Sequence, residues 1–487
     1  VIIISMLLFA RNRATNLFQV VIGIFLSSTG AGRRVINTFN HMGLSVSYDT
    51  VQRCLVALSD SSKEHANQFI RTMVRLWALV YDNINFTLRK ASQRLDSTTT
   101  QLNATTSAVF SLPAKFTRAS YATALSIAER NKNSGKRSLF TLRDLALTPE
   151  KQAQLTDAFR HHVRVILLQH APGLKTGGRR SRKLWKRVKE SKPQIRVLSH
   201  EKTEFYPLPA LAQEEASVAG TIKVVVKLFT QVLGLVEEVV VSELRLLVGD
   251  WLTIRNLRLM KDEVAEEFTA FARMDWVQEV AMPFHFQLNA MYMLFRTHLG
   301  FPGDNNPSSL EHHRMLLKRS KLDPKKPEYN KAKELVYHSL IARILDFNKI
   351  VADYASTRAA HTALLTGDEV LAHSILFIRD ALLFREFSEA IQDADVGRMW
   401  LVHDFWVFMM RGAGCHNYGN EILEMKAQFT HVFPPMLCEV IEHTWLVNRW
   451  GKKGRSIPTD LYLEHNNGFL KVCLIDHSKH MTQANTW

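Results

Sequence analysis

Cysteine is scarce in this chain. There are four among 487 residues (Cys54, Cys415, Cys438 and Cys473), and none falls in a C-x-x-C pair. That excludes a disulfide scaffold and makes a zinc knuckle unexpected. No G-x-x-x-x-G-K-[ST] occurs, because "GLKTGG" (173–178) lacks the required order, and no G-x-S-x-G occurs either. A P-loop ATPase and a nucleophile-elbow hydrolase are thereby excluded. No internal repeat or low-complexity tract is present. Long apolar runs are also missing. The longest uncharged stretch, Ala14 to Gly32, contains Thr, Asn, Gln and Ser, and its apolar centre is only Leu17 to Leu26. Crossing a bilayer takes roughly 20 apolar residues, so this stretch reads as a buried helix and no membrane partner is expected. Val1 to Ala10 is shorter still and lacks a basic flank. The chain opens on Val rather than Met, which suggests a fragment.

What the chain does have is positive charge. Lys and Arg number 62 against 46 Asp and Glu, a formal net charge of +16, while 46% of residues are hydrophobic. The apolar content is too high for a disordered chain. The length allows two to four domains at roughly 100–200 residues each. The charge points to nucleic acid or another anionic partner. It is concentrated between residues 173 and 192. There Lys175, Arg179, Arg180, Arg182, Lys183, Lys186, Arg187, Lys189 and Lys192 face the single acid Glu190. This stretch reads as a solvated insertion loop, a DNA-binding patch or a nuclear import signal.

The periodicity gives the order of elements. Residues 1–75 read as helical, with apolar positions at three and four (Val35, Ile36, Phe39, Met42), a stop at Gly43 and Ser47 as N-cap of the next helix. Helix, "GLSVS", helix is a weak signal for a helix-turn-helix, against the plainer reading of a helical packing region. Residues 76–300 read as a mixed α/β core. "LWALVYD" (76–82) is a buried strand ending on Asp82, Ser97 to Ser107 is an edge strand or a loop, and "ELRLLVGDWLT" (243–253) is a second buried run ending on Asp250. Residues 301–405 read as a helical insertion, and 406–487 as a closing helix plus the motif "DLYLEHNN". The fold class expected is mixed α/β and predominantly helical.

Two carboxylates at the ends of adjacent parallel strands would share one sheet edge, where ligands of open α/β sheets bind. They would repel unless a divalent cation, Mg²⁺ or Mn²⁺, lay between them. Two such ions about 3.5–4 Å apart clamp the attacking and leaving oxygens of a phosphodiester. A third carboxylate is usual. Glu421 borders the stripe Tyr418, Ile422, Met425 and Phe429, and Glu464 sits in "DLYLEHNN", whereas Glu424 reads as solvent-facing. Taken singly, each of these acids is as readily a turn or cap residue. His285 and His298 read as packed or capping histidines. The adjacent pairs His161/His162 and His312/His313 point apart on a helix and do not share an ion.

This layout resembles the RNase H-like core of DDE transposases, in which a first Asp ends strand one, a second Asp ends strand four and a Glu comes from a late helix. More closely, "GLSVSYDTV", "YDNINF", "GDWLTIRNL", "FHFQLNAMYMLFRTHLG", "NYGNEIL" and "VNRWGKKGRSIPTDLYLEHNNGFLK" resemble a mostly fungal family, domain of unknown function 6589. The resemblance to DDE transposases implies Asp82, Asp250 and Glu421 as metal ligands, with Glu464 as the alternative third acid. It also implies a DNA substrate, a nuclear protein and a homo-oligomer. Trp251, directly after Asp250, departs from the polar residue expected there. The rival expectation is a decayed or domesticated relative that binds DNA or protein without catalysis.

Overall fold

The computed structural model describes residues 1–72, 74–88, 100–172, 179–301, 306–346 and 357–468. The chain is mixed α/β and mostly helical, and it divides into two units. The first comprises Val1–Ile127, Thr203–Met282 and Thr459–Trp487, and the second Ala128–Lys202 and Pro283–Pro458. Each unit is thus assembled from segments distant in sequence.

The first unit is built on a five-stranded sheet. Its strands are β1 (Trp77–Leu88), β2 (Thr100–Ser111), β3 (Phe205–Leu211), β4 (Arg245–Gly249) and β5 (Val277–Ala281), in the spatial order β3-β2-β1-β4-β5. β1 pairs antiparallel with β2, β2 antiparallel with β3, and β1–β4 and β4–β5 are parallel. β2, one of the readings for Ser97 to Ser107, is no edge strand: it lies between β1 and β3. Leu76 to Tyr81 and Leu246 to Val248 are buried without alternation, as expected for strands covered on both faces. On one face, Trp77 packs on Phe229, which follows the helix Val218–Lys227, and Phe229 in turn meets Trp276. On the other, Phe205 meets Tyr462 of a helix over 459–468.

Four helices precede the sheet: α1 (Ile2–Arg11), α2 (Leu17–Ser28), α3 (Arg33–His41) and α4 (Tyr48–Arg71). Gly43 takes φ +74°, where a side chain would be strained, and Ser47 caps α4 by accepting from the Thr50 amide. Ser47→Ala is expected to cost about 1 kcal/mol, read as a lowered urea midpoint.

Among its described residues the second unit is helical apart from loops and a two-stranded ribbon, Leu446–Val447 with Ile457–Pro458. Its long helices include Pro149–His170, Pro283–His298, Tyr329–Asp346, Glu369–Asp393, Val396–Gly412 and His416–Ala427. Their core is aromatic: Phe387 meets Trp406, and Trp400 meets Trp445. A buried ionic cluster runs beside it. Arg398 donates to both oxygens of Glu386 (2.5 and 2.7 Å), and His162 lies 2.6 Å from the same carboxylate.

The basic stretch is partly helical rather than a loop. Arg179–Glu190 forms a helix in which Leu184 and Trp185 are half-buried and Val188 is buried, so the helix is held by an apolar stripe. Arg182, Lys183, Lys186, Arg187 and Lys189 are exposed on it. Arg179 and Arg180 open this helix, and Lys175 lies outside the described residues. The segment that follows is pinned by Asp395, whose carboxylate accepts from the amides of Ile195 and Arg196, both at 2.9 Å.

Candidate functional site

β4 is short and ends at Gly249, and the next residue, Asp250, caps the helix Trp251–Glu263 by accepting from the Thr253 amide at 2.8 Å. β1 and β4 are paired at Leu79↔Leu247 and Val80↔Val248. Continuing that register by two places sets Asp82 opposite Asp250, and alternation sends both side chains to one face. Asp82 does not end its strand, however. β1 continues to Leu88 because "NINFTL" keeps its pairing with β2 as far as Leu88↔Thr100. Asp82 stands where β4 stops and β1 goes on without it.

Asp82 is held from across the sheet. The Asn467 amide donates to its Oδ2 at 3.1 Å, and the Thr106 hydroxyl, on the residue paired with Asp82, donates to Asn467 Oδ1 at 2.7 Å. Glu464 lies one turn before Asn467 on the same helix and is half-buried. Asn467 thus ties this helix to a strand acid.

A third carboxyl enters from a segment that reads as an ordinary polar linker. Glu215, between β3 and the helix Val218–Lys227, is buried. Its amide donates to Asn83 Oδ1 (3.3 Å), and its carbonyl accepts from the Asn256 amide (3.0 Å) and the Thr221 hydroxyl (3.1 Å). Its Oε1 accepts from the Thr253 hydroxyl at 2.7 Å, while Oε2 is buried with no hydrogen-bond partner. Burial pushes this carboxyl up to about 8. The Thr253 bond opposes that, and the charges of Asp250 and Asp82 add to it. Glu215 is therefore mostly neutral at pH 7. The Tyr81 phenol is raised well above its usual range, first by burial and then by Glu215 and Asp250. Nothing in "QEEAS" marks Glu215 in the sequence. The only pointer is Ser217, a helix N-cap two residues later.

The fit packs tightly around Gly249. A Cβ there would lie 2.4 Å from Thr253 Cγ2 and 2.7 Å from its Cβ. Gly249→Ala is expected to push Thr253 off both Asp250 and Glu215 and to cost about 1–3 kcal/mol. Urea unfolding at pH 7 measures it.

The donor set suits a hard divalent cation, with oxygen ligands alone and one buried carboxyl oxygen left over. The spacing does not: among the described residues, no group of three or more His, Cys, Asp or Glu could hold a metal ion. The other predicted acid, Glu421, lies in the second unit, buried on the helix His416–Ala427. Glu424, on that helix, is not solvent-facing; it pairs with Arg137. His298 is buried against Asp380 at 2.8 Å, a packed histidine.

A family model described as "Family of unknown function (DUF6589)" matches residues 134–348 and 346–486. The chain belongs to this family. Within DUF6589 the matched residues include Glu215, Asp250, Glu421, Glu464 and the basic helix, while Asp82 lies before them. No curated protein and no solved structure matches the chain. No helix among the described residues is long and apolar enough to cross a membrane.

Proposed function

We propose that the first unit is the RNase H-like core of a transposon-derived, DNA-processing protein, with DDE-type cleavage and transfer of phosphodiester strands. The observation that carries this reading is the strand order β3-β2-β1-β4-β5 with β2 alone reversed, combined with Asp82 on β1 and Asp250 directly after the neighbouring parallel strand β4. Glu215, which precedes Asp250 in the chain, takes the place of the late-helix Glu of the DDE arrangement, as the buried carboxyl raised by the charges of both aspartates. Glu464, near Asn467, is the runner-up. Asp82, Asp250 and Glu215 offer the oxygen donors that Mg²⁺ or Mn²⁺ takes, but at their described spacing they form no metal-holding group, so the cleavage reading requires the three acids to draw together around an ion. Asn467 bonds to Asp82, the helix N-terminus orients Asp250, and Thr253 orients Glu215, which would have to give up its proton to hold a cation. The exposed lysines and arginines of Arg179–Glu190 would hold DNA through phosphates, and a DNA substrate implies a nuclear protein.

A second reading is a non-catalytic relative that binds DNA or protein. It is favoured by the spacing of the acids and by the protein bonds already made by Asp82 and Asp250. Calorimetry with Mn²⁺ at pH 7, in two buffers of different ionisation enthalpy, separates the two. Cleavage predicts binding with release of about one proton. Both binding and nicking of duplex DNA should fall at least tenfold in Asp250→Asn. Absent Mn²⁺ binding, or nicking that survives Asp250→Asn, would leave the binding reading.

A further inference from the structure

The second unit holds a cavity of about 670 Å³, a size that takes one small organic molecule. All of its walls belong to that unit. The helix Pro149–His170 supplies Lys151, the helix Val396–Gly412 supplies Trp400 and Asp404, and Lys426 stands near the end of His416–Ala427. The chain then makes one wide turn, Gln428–Val432, closed by the Phe433 amide, which donates to the Gln428 carbonyl five residues back at 2.7 Å. Turns of this π type are rare and recur at functional sites. Here the turn brings three successive residues, Phe429, Thr430 and His431, to the cavity wall. The facing wall is fixed. Asp395 holds the amides of Ile195 and Arg196, and at Gly397 a Cβ would lie 2.6 Å from Ile195 Cγ2.

Lys151, Arg196 and Lys426 line the cavity together with Asp404, Glu439 and Glu442. These charges are sorted into two groups with the Trp400 indole between them. In the first, Lys151 reaches the Oδ2 of the buried Asp404 at 2.8 Å, and Lys426 donates to its Oδ1. Two ammoniums share one carboxylate, so N–H donors are left over there. Lys426 lies 5.4 Å from the Trp400 ring centre. In the second group, Trp400 Nε1 donates to Glu442 Oε1 at 2.7 Å, and Arg196 donates to the same oxygen. Glu439 is near enough to act electrostatically on the Glu442 carboxyl, so here two acids face one cation. Phe429 meets Trp400 at 5.0 Å between ring centres, and the pair makes an aromatic wall joining the two groups.

We propose that this cavity binds a free nucleoside monophosphate whose base carries an exocyclic amine. The phosphate takes the donors left on Lys151 and Lys426, since a lysine ammonium is a compact point charge suited to phosphate. The flat base lies on the wall of Trp400 and Phe429. Its amine donates to the carboxyls of Glu439 and Glu442. An anion without a ring, or a ring without an amine, would meet only part of this lining. The site lies wholly in the second unit, so it depends neither on the acids of the first nor on cleavage of DNA.

The test is isothermal titration calorimetry on the full chain in EDTA, with AMP, GMP, CMP and UMP as titrants. The tightest of the three amino-bearing nucleotides is expected to bind with a Kd below about 1 mM. Its nucleoside, which lacks the phosphate, should bind about tenfold more weakly or worse. So should UMP, which puts a carbonyl oxygen where CMP has its amine. Lys151→Gln leaves Asp404 paired with Lys426, and should weaken the nucleotide about tenfold while leaving its nucleoside unchanged. Glu442→Gln keeps an acceptor for Trp400 but offers an amide that can also donate, and should narrow the gap to UMP. No binding below about 1 mM by any of the three, or UMP as tight as the best of them, would overturn the proposal. So would a single-stranded oligonucleotide that binds where every mononucleotide is silent, since the lining would then belong to a strand. Should either variant fail to fold, the ranking of the four nucleotides and the nucleoside on the unaltered chain decides alone.

Discussion

Arg398→Ala is expected to destabilise the second unit by about 3–5 kcal/mol, the usual cost of stripping one partner from a buried ion pair. Arg398 and Glu386 are both essentially without solvent exposure, and the guanidinium also reaches Asp393 at 2.8 Å. Burial works against the Glu386 charge, but the bonds from Arg398 and His162 outweigh it and hold the carboxyl at about 2. Burial likewise lowers His162, but Glu386 and Glu389 outweigh it, so the imidazole is raised. The Glu386 contribution is therefore complete above its unfolded value and is lost as pH falls towards 2. The His162 contribution is complete below about 6.5 and is lost as pH rises through its folded value. Urea midpoints across pH should show both limbs in the parent chain. Arg398→Ala leaves the buried Glu386 with His162 but without its guanidinium, while Arg398→Met/Glu386→Leu should recover most of the loss. A double variant as unstable as the single one would mean that packing, not charge, carries the site.

Glu215→Gln is expected to do the opposite in the first unit. Between the ordinary carboxyl value of 4.5 and the folded value of about 8, the native protein keeps a proton that the unfolded chain has lost. Stability contributed by this group therefore falls as pH rises through that window and is gone above pH 8. At about 1.4 kcal/mol per unit, the span is on the order of 3–5 kcal/mol. Gln keeps the acceptor for Thr253 and carries no proton to lose. The variant should match the parent near pH 4.5 and exceed it by about that amount at pH 8.5. Parallel stability curves for the two chains would show that Glu215 titrates normally and would remove it from the proposed trio.

Much of this framework is written in local pattern. "LWALVYD" and "ELRLLVGDWLT" are strands because unbroken apolar runs suit central positions, and each delivers its aspartate to one place in the sheet. Gly43 and Ser47 mark a helix end and start through backbone freedom and capping. What local pattern does not carry is partnership across distance. Glu215 sits in a polar linker, and its character comes from burial beneath Thr253 and beside two acids more than thirty residues away. Asn467 shows no sign in "EHNN" of binding Asp82. The inner position of β2 is hidden because its Ser and Thr residues, buried at 105–107, read as solvent-facing. The two-unit division is hidden too, since each unit draws on segments the sequence presents far apart.

The bond between Asn467 and Asp82 spans 385 positions. A growing chain makes the sheet early but receives the helix that orients its first aspartate only after the whole second unit has been synthesised. Contacts this remote are slow to close and leave partly built sheets exposed meanwhile. The same delay falls on Asp82, whose bond to Asn467 forms only once residue 467 has been made.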